Sequence, residues 1–318
     1  MKTYLVTGGA GFIGSNIVER LVERKEKVIV LDNLCEGKID NLKKVIDKIT
    51  FIKGDIRVDK DLDKALRGAD IVLHQAALRS VPKSMDNPVE YNDVNVSGTL
   101  RLLIKARERG VKRVVFASSS SVYGNTKKFP EKESDPACPI SPYAATKLMG
   151  EYYCRLFSVS FGLETVSLRY FNVFGPNQSL DNEYAVVVPK FIKCILKNES
   201  PPVHGDGLQE RDFTFVDNIV EANMSAAATR NISGGVFNVA CGKSYSILSI
   251  VDKINLILGK NIKPAFESKR KGDVRKTLAD ITGLKQKLKI KDFVHFEDGL
   301  KIAIDWWRNY LKFSAKKL

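Results

Sequence analysis

The stretch Lys2-Thr-Tyr-Leu-Val-Thr-Gly-Gly-Ala-Gly-Phe-Ile-Gly-Ser15 decides the fold of this chain. Tyr4 to Val6 predict a short buried strand, and Ser15 to Val22 predict an amphipathic helix. The glycines between them predict a turn with bare backbone. Phosphate oxygens can reach N–H groups at such a turn, and the dipole of the following helix favours their negative charge. Strand, turn and helix thus indicate a dinucleotide pyrophosphate site, the alternative being glycines that serve packing alone.

A carboxylate after the next strand narrows the choice of dinucleotide. Lys27 to Leu31 predict a second strand, which ends at Asp32. Asp32 lies close to the spacing, about 20 residues after the turn, of a carboxylate that bonds a ribose 2′-hydroxyl. Because a 2′-phosphate would be repelled there, the sequence favours NAD over NADP as the cofactor.

Strand and helix patterns alternate through the first 175 residues. Further strands are predicted at 50–52, 71–73, 113–116 and 164–168, and long helices at 89–107 and 142–157. Such alternation is typical of an α/β protein with a doubly wound parallel sheet of the Rossmann type. A shorter helix is predicted at 42–47.

The regular alternation ends near residue 177, which predicts a second, smaller lobe. We assign residues 1–175 to an NAD-binding domain and 176–318 mainly to a substrate-binding lobe. The strand-like stretch 213–216, the helix 219–228 and the strand 236–239 are regular enough for 213–240 to return to the first domain. A helix with two tryptophans ends the chain.

Composition restricts the class of protein. The 318 residues carry a net charge of +14, spread along the chain, which is more typical of solvated helix faces than of nucleic-acid binding. The longest apolar runs fall short of the roughly 20 residues of a membrane helix, and the first strand leaves no room for a signal peptide. Five scattered cysteines indicate a reduced, cytoplasmic protein without a metal site.

A tyrosine and a lysine supply the candidate chemistry. Tyr143 and Lys147 lie four apart in a predicted helix and therefore share a face. An ammonium beside a phenol stabilises the phenolate, which lowers the pKa of Tyr143 and makes it a general base. Ser119 follows a parallel strand, where its hydroxyl can bond a substrate oxygen. A surface Tyr–Lys pair is the alternative.

These motifs together resemble a known family, the extended short-chain dehydrogenase/reductases, and within it the NAD-dependent UDP-hexose 4-epimerases. The matching stretches are Thr7-Gly-Gly-Ala-Gly-Phe-Ile-Gly14, His74-Gln-Ala-Ala77, Ser118-Ser-Ser-Ser-Val-Tyr-Gly124, Ser141-Pro-Tyr-Ala-Ala-Thr-Lys147 and Arg169-Tyr-Phe-Asn172. The resemblance implies transient oxidation of the sugar at C4. It makes Tyr143 the base, Lys147 the group that tunes it and Ser119 a ligand of the 4-oxygen.

The resemblance also implies binding residues. Cofactor contacts are expected at Gly8, Gly11, Phe12, Ile13, Gly14, Asp32, Asn33, Asp55, Ile56, Ala76, Ala77, Asn95, Tyr143, Lys147 and Tyr170. UDP-sugar contacts are expected at Arg79, Ser119, Asn172, Val186, His204, Arg211, Arg270, Asp273 and Thr277. Asn172, Arg211 and Arg270 match diphosphate ligands, and guanidinium groups suit phosphate oxygens.

The identity of the sugar is the open part of the analysis. Thr277 matches a position that limits the substituent at sugar C2, and its small side chain leaves room for an N-acetyl group. Arg79 stands where related N-acetylhexosamine enzymes often have glycine, so its charge could bind the carboxylate of a UDP-uronate. The alternative is therefore a UDP-glucuronate 4-epimerase or decarboxylase. Ser120 and Ser121, in place of an Asp-Glu pair, disfavour a dehydratase.

Two further predictions concern other classes of function. A non-catalytic NAD-binding regulator is disfavoured because it would not need Ser119, Tyr143 and Lys147. The resemblance implies a homodimer built through a four-helix bundle, to which 89–107 and 142–157 contribute. No nucleic-acid or membrane partner is expected.

Overall fold

The computed structural model describes residues 1–180, 187–269 and 274–315, with side chains through residue 312. The strands are β1 (Thr3–Thr7), β2 (Lys27–Asp32), β3 (Thr50–Lys53), β4 (Ile71–His74), β5 (Arg113–Ser119), β6 (Glu164–Tyr170), β7 (Val173–Phe174), β8 (Pro202–His204), β9 (Glu210–Asp212), β10 (Thr214–Phe215), β11 (Gly235–Val239), β12 (Ser244–Ser246) and β13 (Ala265–Glu267). The helices are α1 (Phe12–Glu23), α2 (Asp59–Ala65), α3 (Val81–Asp86), α4 (Pro88–Asn92), α5 (Gly98–Glu108), α6 (Pro142–Phe161), α7 (Val187–Leu196), α8 (Val216–Ala228), α9 (Ile247–Leu258), α10 (Thr282–Gln286) and α11 (Phe296–Ala315).

A parallel sheet forms the centre of the described structure. It has seven strands in the order β11-β6-β5-β4-β1-β2-β3. Its inner strands are buried on both faces, which is why they appear in the sequence as apolar runs rather than alternating patterns. The chain moves from β1 to one side through β2 and β3, then crosses back to β4 on the other side. That reversal opens a crevice at the carboxyl ends of β1 and β4, where open α/β sheets bind ligands.

Helices cover both faces of this sheet. Buried side chains of α1 and α8 pack on one face, and those of α2, α5 and α6 pack on the other. The predicted α/β, doubly wound fold is confirmed. β11, from the second half of the chain, pairs with β6 in register Gly235 with Val166 through Val239 with Tyr170.

A second apolar cluster builds the smaller lobe. It packs α7, α9 and α11 around a group of aromatic rings, and the rings of Phe174 and Phe296 lie 5.2 Å apart. Short strand pairs, β8 with β13 and β9 with β12, extend from this cluster. None of the helices described is long and apolar enough to cross a membrane.

Three predicted elements differ in the structure. The helix expected at 42–47 is wrong: two 3₁₀ turns, Ile39–Leu42 and Ile46–Lys48, occupy that region. Its buried anchors Leu42 and Val45 are three apart, which matches the 3₁₀ repeat rather than an amphipathic α-helix.

The other two differences concern where a helix begins and whether a helix is continuous. Val216 begins α8 instead of ending a strand, because Phe215 is the extended residue that precedes the first turn. The helix predicted at 89–107 is interrupted by a π-helical turn at Asp93–Ser97, between α4 and α5.

Candidate active site

A cleft of about 560 Å³ lies at the carboxyl ends of the central strands. It brings together most of the residues predicted for cofactor binding, one candidate substrate ligand and two candidate catalytic residues. They are Gly8, Gly11, Phe12, Ile13, Gly14, Asp32, Asn33, Asp55, Ile56, Ala76, Ala77, Arg79, Tyr143, Lys147 and Tyr170. The predicted residues are thus neighbours in space, although they come from segments far apart in the chain.

The glycine turn is built so that larger residues do not fit. Gly8 has φ +67°, and a Cβ there would lie 2.7 Å from the Ala76 nitrogen. A Cβ at Gly14 would lie 2.1 Å from the Gly8 oxygen. Bare backbone therefore faces the cleft where α1 begins at Phe12. This cradle fits a pyrophosphate.

Carboxylates stand at the ends of β2 and β3. Asp32 is buried and accepts bonds from Ala10 N at 2.9 Å and Leu34 N at 2.8 Å, and burial raises its pKa. Bonds from the Arg57 guanidinium lower the pKa of Asp55 to about 2, and Asn33 Nδ2 donates to the same carboxylate at 2.9 Å. Both carboxylates line the cleft.

The candidate catalytic side chains come from β5 and the first turns of α6. Ser141 caps α6 by accepting a bond from Ala144 N at 3.2 Å, so Tyr143 is held at the start of the helix. Ser119, the last residue of β5, is near enough to the Tyr143 phenol for its side chain to act on the phenol pKa. Ser121 Oγ in turn donates to Ser119 Oγ at 2.7 Å. The hydrogen of the Ser119 hydroxyl is therefore left to make a hydrogen bond on the side of the phenol.

The electrostatics of this group differ from the prediction. Burial raises the pKa of Tyr143, while the Ser119 side chain and the charge of Arg79 act in the opposite direction. Lys147 Nζ lies 5.9 Å from the centre of the Tyr143 ring and donates to the Ala117 carbonyl at 2.8 Å. Burial lowers the pKa of Lys147 to about 8. In the protein by itself, desolvation outweighs the effect expected of the neighbouring ammonium.

The match to known proteins decides the family. The model of the NAD dependent epimerase/dehydratase family matches residues 4–240, about three quarters of the chain. The chain belongs to this family.

Members of the family resemble the chain along almost all of its length. A UDP-N-acetylglucosamine 4-epimerase from Methanobrevibacter ruminantium M1, solved with UDP-N-acetylmuramic acid, is 44% identical, covers 97% of this chain and 99% of its own, and has a TM-score of 0.93. A Thermus thermophilus UDP-glucose 4-epimerase solved with NAD is 35% identical, with 96% and 99% covered and a TM-score of 0.88. A UDP-glucuronate 4-epimerase from Thermodesulfobacterium geofontis is 33% identical, with 96% of each chain covered. The predicted family and its cofactor, NAD, are thereby confirmed.

Three described candidates for the UDP side, Arg211, Asn172 and Thr277, meet where the central sheet joins the smaller lobe. Arg211 is buried, and its Nη1 and Nη2 donate to the carbonyls of Glu210 at 2.7 Å and Val274 at 2.6 Å. Asn172 Nδ2 donates to Thr277 Oγ1 at 3.1 Å. Arg211, Asn172 and Thr277 thus join the end of β6 to β9 and to the segment from residue 274 onwards.

The remaining predicted ligands are placed differently. His204 Nδ1 lies 3.2 Å from the Ser268 carbonyl and 3.3 Å from a Glu267 oxygen, so neighbours within its own lobe engage it. Val186, Arg270 and Asp273 lie outside the described residues.

Asn95 stands behind the cleft rather than in its wall. It is buried in the π-helical turn, where Oδ1 accepts from Leu78 N at 2.8 Å and Nδ2 donates to the Leu78 carbonyl at 2.9 Å. Asn95 therefore positions the loop that follows β4, which carries Ala76, Ala77 and Arg79.

Several residues that line the cleft are not predicted from the sequence. Glu36 lines it and pairs with Arg79 Nε at 3.3 Å. Gln75 also lines the cleft, and its place in the stretch His74-Gln-Ala-Ala77 could have indicated this. Trp306 and Tyr310 of α11 also reach it, with their rings stacked at 5.1 Å, and nothing local in the sequence indicates that placement. Among the described side chains, no cluster of three or more His, Cys, Asp or Glu could hold a metal ion.

Proposed function

We propose that the protein is a UDP-hexose 4-epimerase that acts on sugars of the UDP-glucose and UDP-N-acetylglucosamine series. The observation that carries this proposal is the Tyr143 phenol in the wall of the cleft that begins at the glycine turn, close enough to Ser119 for that side chain to act on its pKa. The base, a serine hydroxyl and the dinucleotide cradle thus lie within one site. The resemblance to relatives named for UDP-sugar 4-epimerization supports the substrate class.

The residues divide the chemistry between them. NAD, which the cleft lined by Gly8, Gly14 and Asp32 would hold, would supply reversible hydride transfer at sugar C4. Tyr143 takes the proton of the 4-hydroxyl group and later gives it back, so it acts as base and then as acid. Ser119, whose oxygen accepts from Ser121 at 2.7 Å, keeps its own proton and can donate a hydrogen bond that stabilises the charged phenol oxygen. Lys147, held by the Ala117 carbonyl, keeps a positive charge near the ring.

A neutral sugar is favoured over a uronate. Arg79 is the cation that suggested a carboxylate-bearing substrate, but Glu36 of the chain pairs with it at 3.3 Å. A sugar carboxylate would have to compete with that partner. The small side chain of Thr277 supports tolerance of an N-acetyl group. UDP-glucuronate epimerization or decarboxylation is accordingly the alternative.

The two binding functions are assigned to successive parts of the chain, except that residues 213–240 return to the first domain. We assign residues 1–175 and 213–240 to NAD binding and the rest of 176–318 mainly to the UDP-sugar. The position of β11 beside β6 supports the return of 213–240 to the first domain.

A second copy of the chain is the proposed partner. Met149, Tyr152, Leu156 and Val159 are exposed on α6 at spacings of three and four residues, which makes one apolar stripe along the helix. Val89 of α4 adds an exposed apolar group. Sedimentation velocity should give a dimer that Leu156→Arg dissociates, with Lys60→Glu on α2 as the control. A monomeric wild-type protein would contradict this assignment.

One assay tests the activity. The purified protein is incubated separately with UDP-galactose, UDP-N-acetylgalactosamine and UDP-galacturonate, without added NAD, and the products are resolved by chromatography. We expect 4-epimers of the first two sugars. Tyr143→Phe should reduce turnover by a factor of at least about 10² and still retain NAD. Conversion of only the uronate would establish the alternative, and a fully active Tyr143→Phe variant would refute the mechanism.

A further inference from the structure

Thr277 lies at a junction of three segments that carry candidate substrate ligands. Its side chain is 8% exposed. Its hydroxyl oxygen accepts bonds from Asn172 Nδ2 and from the backbone nitrogen of Asp212, both at 3.1 Å. Its own backbone nitrogen donates to the Glu210 carbonyl at 3.1 Å. The hydroxyl therefore links the loop after β6 to the end of β9.

We propose that Thr277 is a positioning residue for the UDP moiety and acts through its hydroxyl group, not only through its small size. The inference rests on the proposed function, because that function makes Asn172 a contact of the substrate. The small size of Thr277 explains only why a bulky substituent fits, whereas its hydroxyl group would determine the orientation of Asn172. Asn172 can face the substrate in one orientation only if both hydrogens of its amide have fixed acceptors.

Asn172 needs such support because its backbone is strained. It has φ +34°, a conformation that side-chain-bearing residues rarely adopt. Its Nδ2 donates to the Asp212 carbonyl at 3.0 Å as well as to Thr277. With both amide hydrogens directed at β9 and Thr277, the amide plane is set and Oδ1 is left for other contacts.

Asp212 makes the other side of the junction rigid. Its carboxylate is fully buried and accepts bonds from Cys241 N and Gly242 N at 3.0 Å and from Ala279 N at 3.2 Å. Ala279 is two residues from Thr277, so Asp212 holds the same segment at two points. These bonds hold the segment that carries Thr277 in place, and so they fix the position of its hydroxyl group relative to Asn172.

The test separates the hydroxyl group from the size of the side chain. Valine has nearly the shape of threonine and lacks the hydroxyl, whereas serine keeps the hydroxyl and is smaller. Binding of UDP to the NAD-loaded protein is measured by titration calorimetry for Thr277→Val, Thr277→Ser and the wild type. We expect about tenfold weaker binding for Thr277→Val, equal to about 1.4 kcal/mol, and a change within about twofold for Thr277→Ser.

Two further readouts exclude a general structural effect. NAD content should be unchanged in Thr277→Val, and the melting temperature should fall by no more than the loss of the two bonds to its hydroxyl explains, while KM for the UDP-sugar rises more than kcat falls. In an Asn172→Ala background, Thr277→Val should add less than about twofold, because the two residues act through one contact. Full additivity, or wild-type UDP affinity in Thr277→Val, would overturn the inference.

The outcomes distinguish this inference from the proposed function. A wild-type protein that binds UDP but epimerizes none of the three sugars refutes the function, and the UDP affinities of the variants still decide the role of Thr277. A wild-type protein with no UDP binding refutes both.

Discussion

Replacing Lys147 with methionine should stabilise the cofactor-free protein while abolishing its activity. Lys147 is 5% exposed, and its ammonium donates to the Ala117 carbonyl at 2.8 Å. Burial lowers the pKa of the side chain from 10.5 to about 8. The folded protein therefore holds a charge at neutral pH in a place that disfavours charge. Methionine has a similar length and no charge to desolvate.

The size of the effect follows from the displaced pKa. A fall from 10.5 to about 8 corresponds to about 3 kcal/mol at about 1.4 kcal/mol per unit. Loss of the bond to Ala117 offsets about 1 kcal/mol. The net gain in the free energy of unfolding is about 2 kcal/mol below pH 8.

Between about pH 8 and 10.5 the unfolded chain binds more protons at Lys147 than the folded chain does, so the stability of the wild type rises with pH. Below a pH of about 8, both folded and unfolded chains carry the proton, so the desolvation cost is fully present. As the pH rises towards 10.5, the folded state loses the proton first and the cost disappears. The advantage of Lys147→Met should therefore shrink to nearly zero by about pH 9.5.

Urea unfolding of NAD-stripped protein at pH 7 and pH 9.5 measures both quantities. Lys60→Met, at an exposed position on α2, is the matched control and should change stability by less than about 0.5 kcal/mol at either pH. A Lys147→Met protein that is less stable than the wild type at pH 7 would refute the reasoning. So would a stability gain that persists undiminished at pH 9.5.

Two other perturbations test the buried charges around the cleft. Glu151→Gln should lower the free energy of unfolding by about 3 kcal/mol, because it leaves the buried Arg169 guanidinium without the carboxylate that it contacts at 2.8 Å. The control Asp59→Asn removes the carboxylate of an exposed ion pair and should cost under about 1 kcal/mol. Equal losses of the two variants in urea unfolding would contradict the argument. The Tyr143 phenol of NAD-free protein should titrate above the usual pKa, measured as the ultraviolet difference between wild type and Tyr143→Phe, and Arg79→Gln should raise that pKa further because a lowering charge is removed. A phenol that titrates near pH 7 without NAD would show that burial is not the dominant influence.

The sheet and the glycine turn could be predicted because their causes are local. A strand buried on both faces must be apolar throughout, and Ile71 to Leu73 carries that pattern without help from distant residues. The first residue of α1 was harder to predict. Phe12 lies inside the glycine motif, so composition indicated a turn where the backbone is already helical.

The rest of the site depends on contacts that no local pattern contains. The charge of Arg79 suggested a carboxylate in the substrate, yet Glu36, from the loop after β2, supplies a carboxylate at 3.3 Å. The direction of the Tyr143 pKa shift depends on how completely the fold removes water, which spacing along a helix does not record. Trp306 reaches the cleft only because the smaller lobe packs α11 beside it.

The pairing of β11 with β6 limits how the chain can be divided. β6 contributes Arg169 and Tyr170 and is buried almost throughout because β11 covers its outer edge. A nascent chain that ends at residue 175 already contains the glycine turn and Tyr143, but its β6 would present an unpaired row of N–H and C=O groups, a template for aggregation. Excising the first 175 residues as an autonomous NAD-binding module would therefore fail. The strand that completes the sheet is synthesised only after most of the candidate substrate-binding residues have been made.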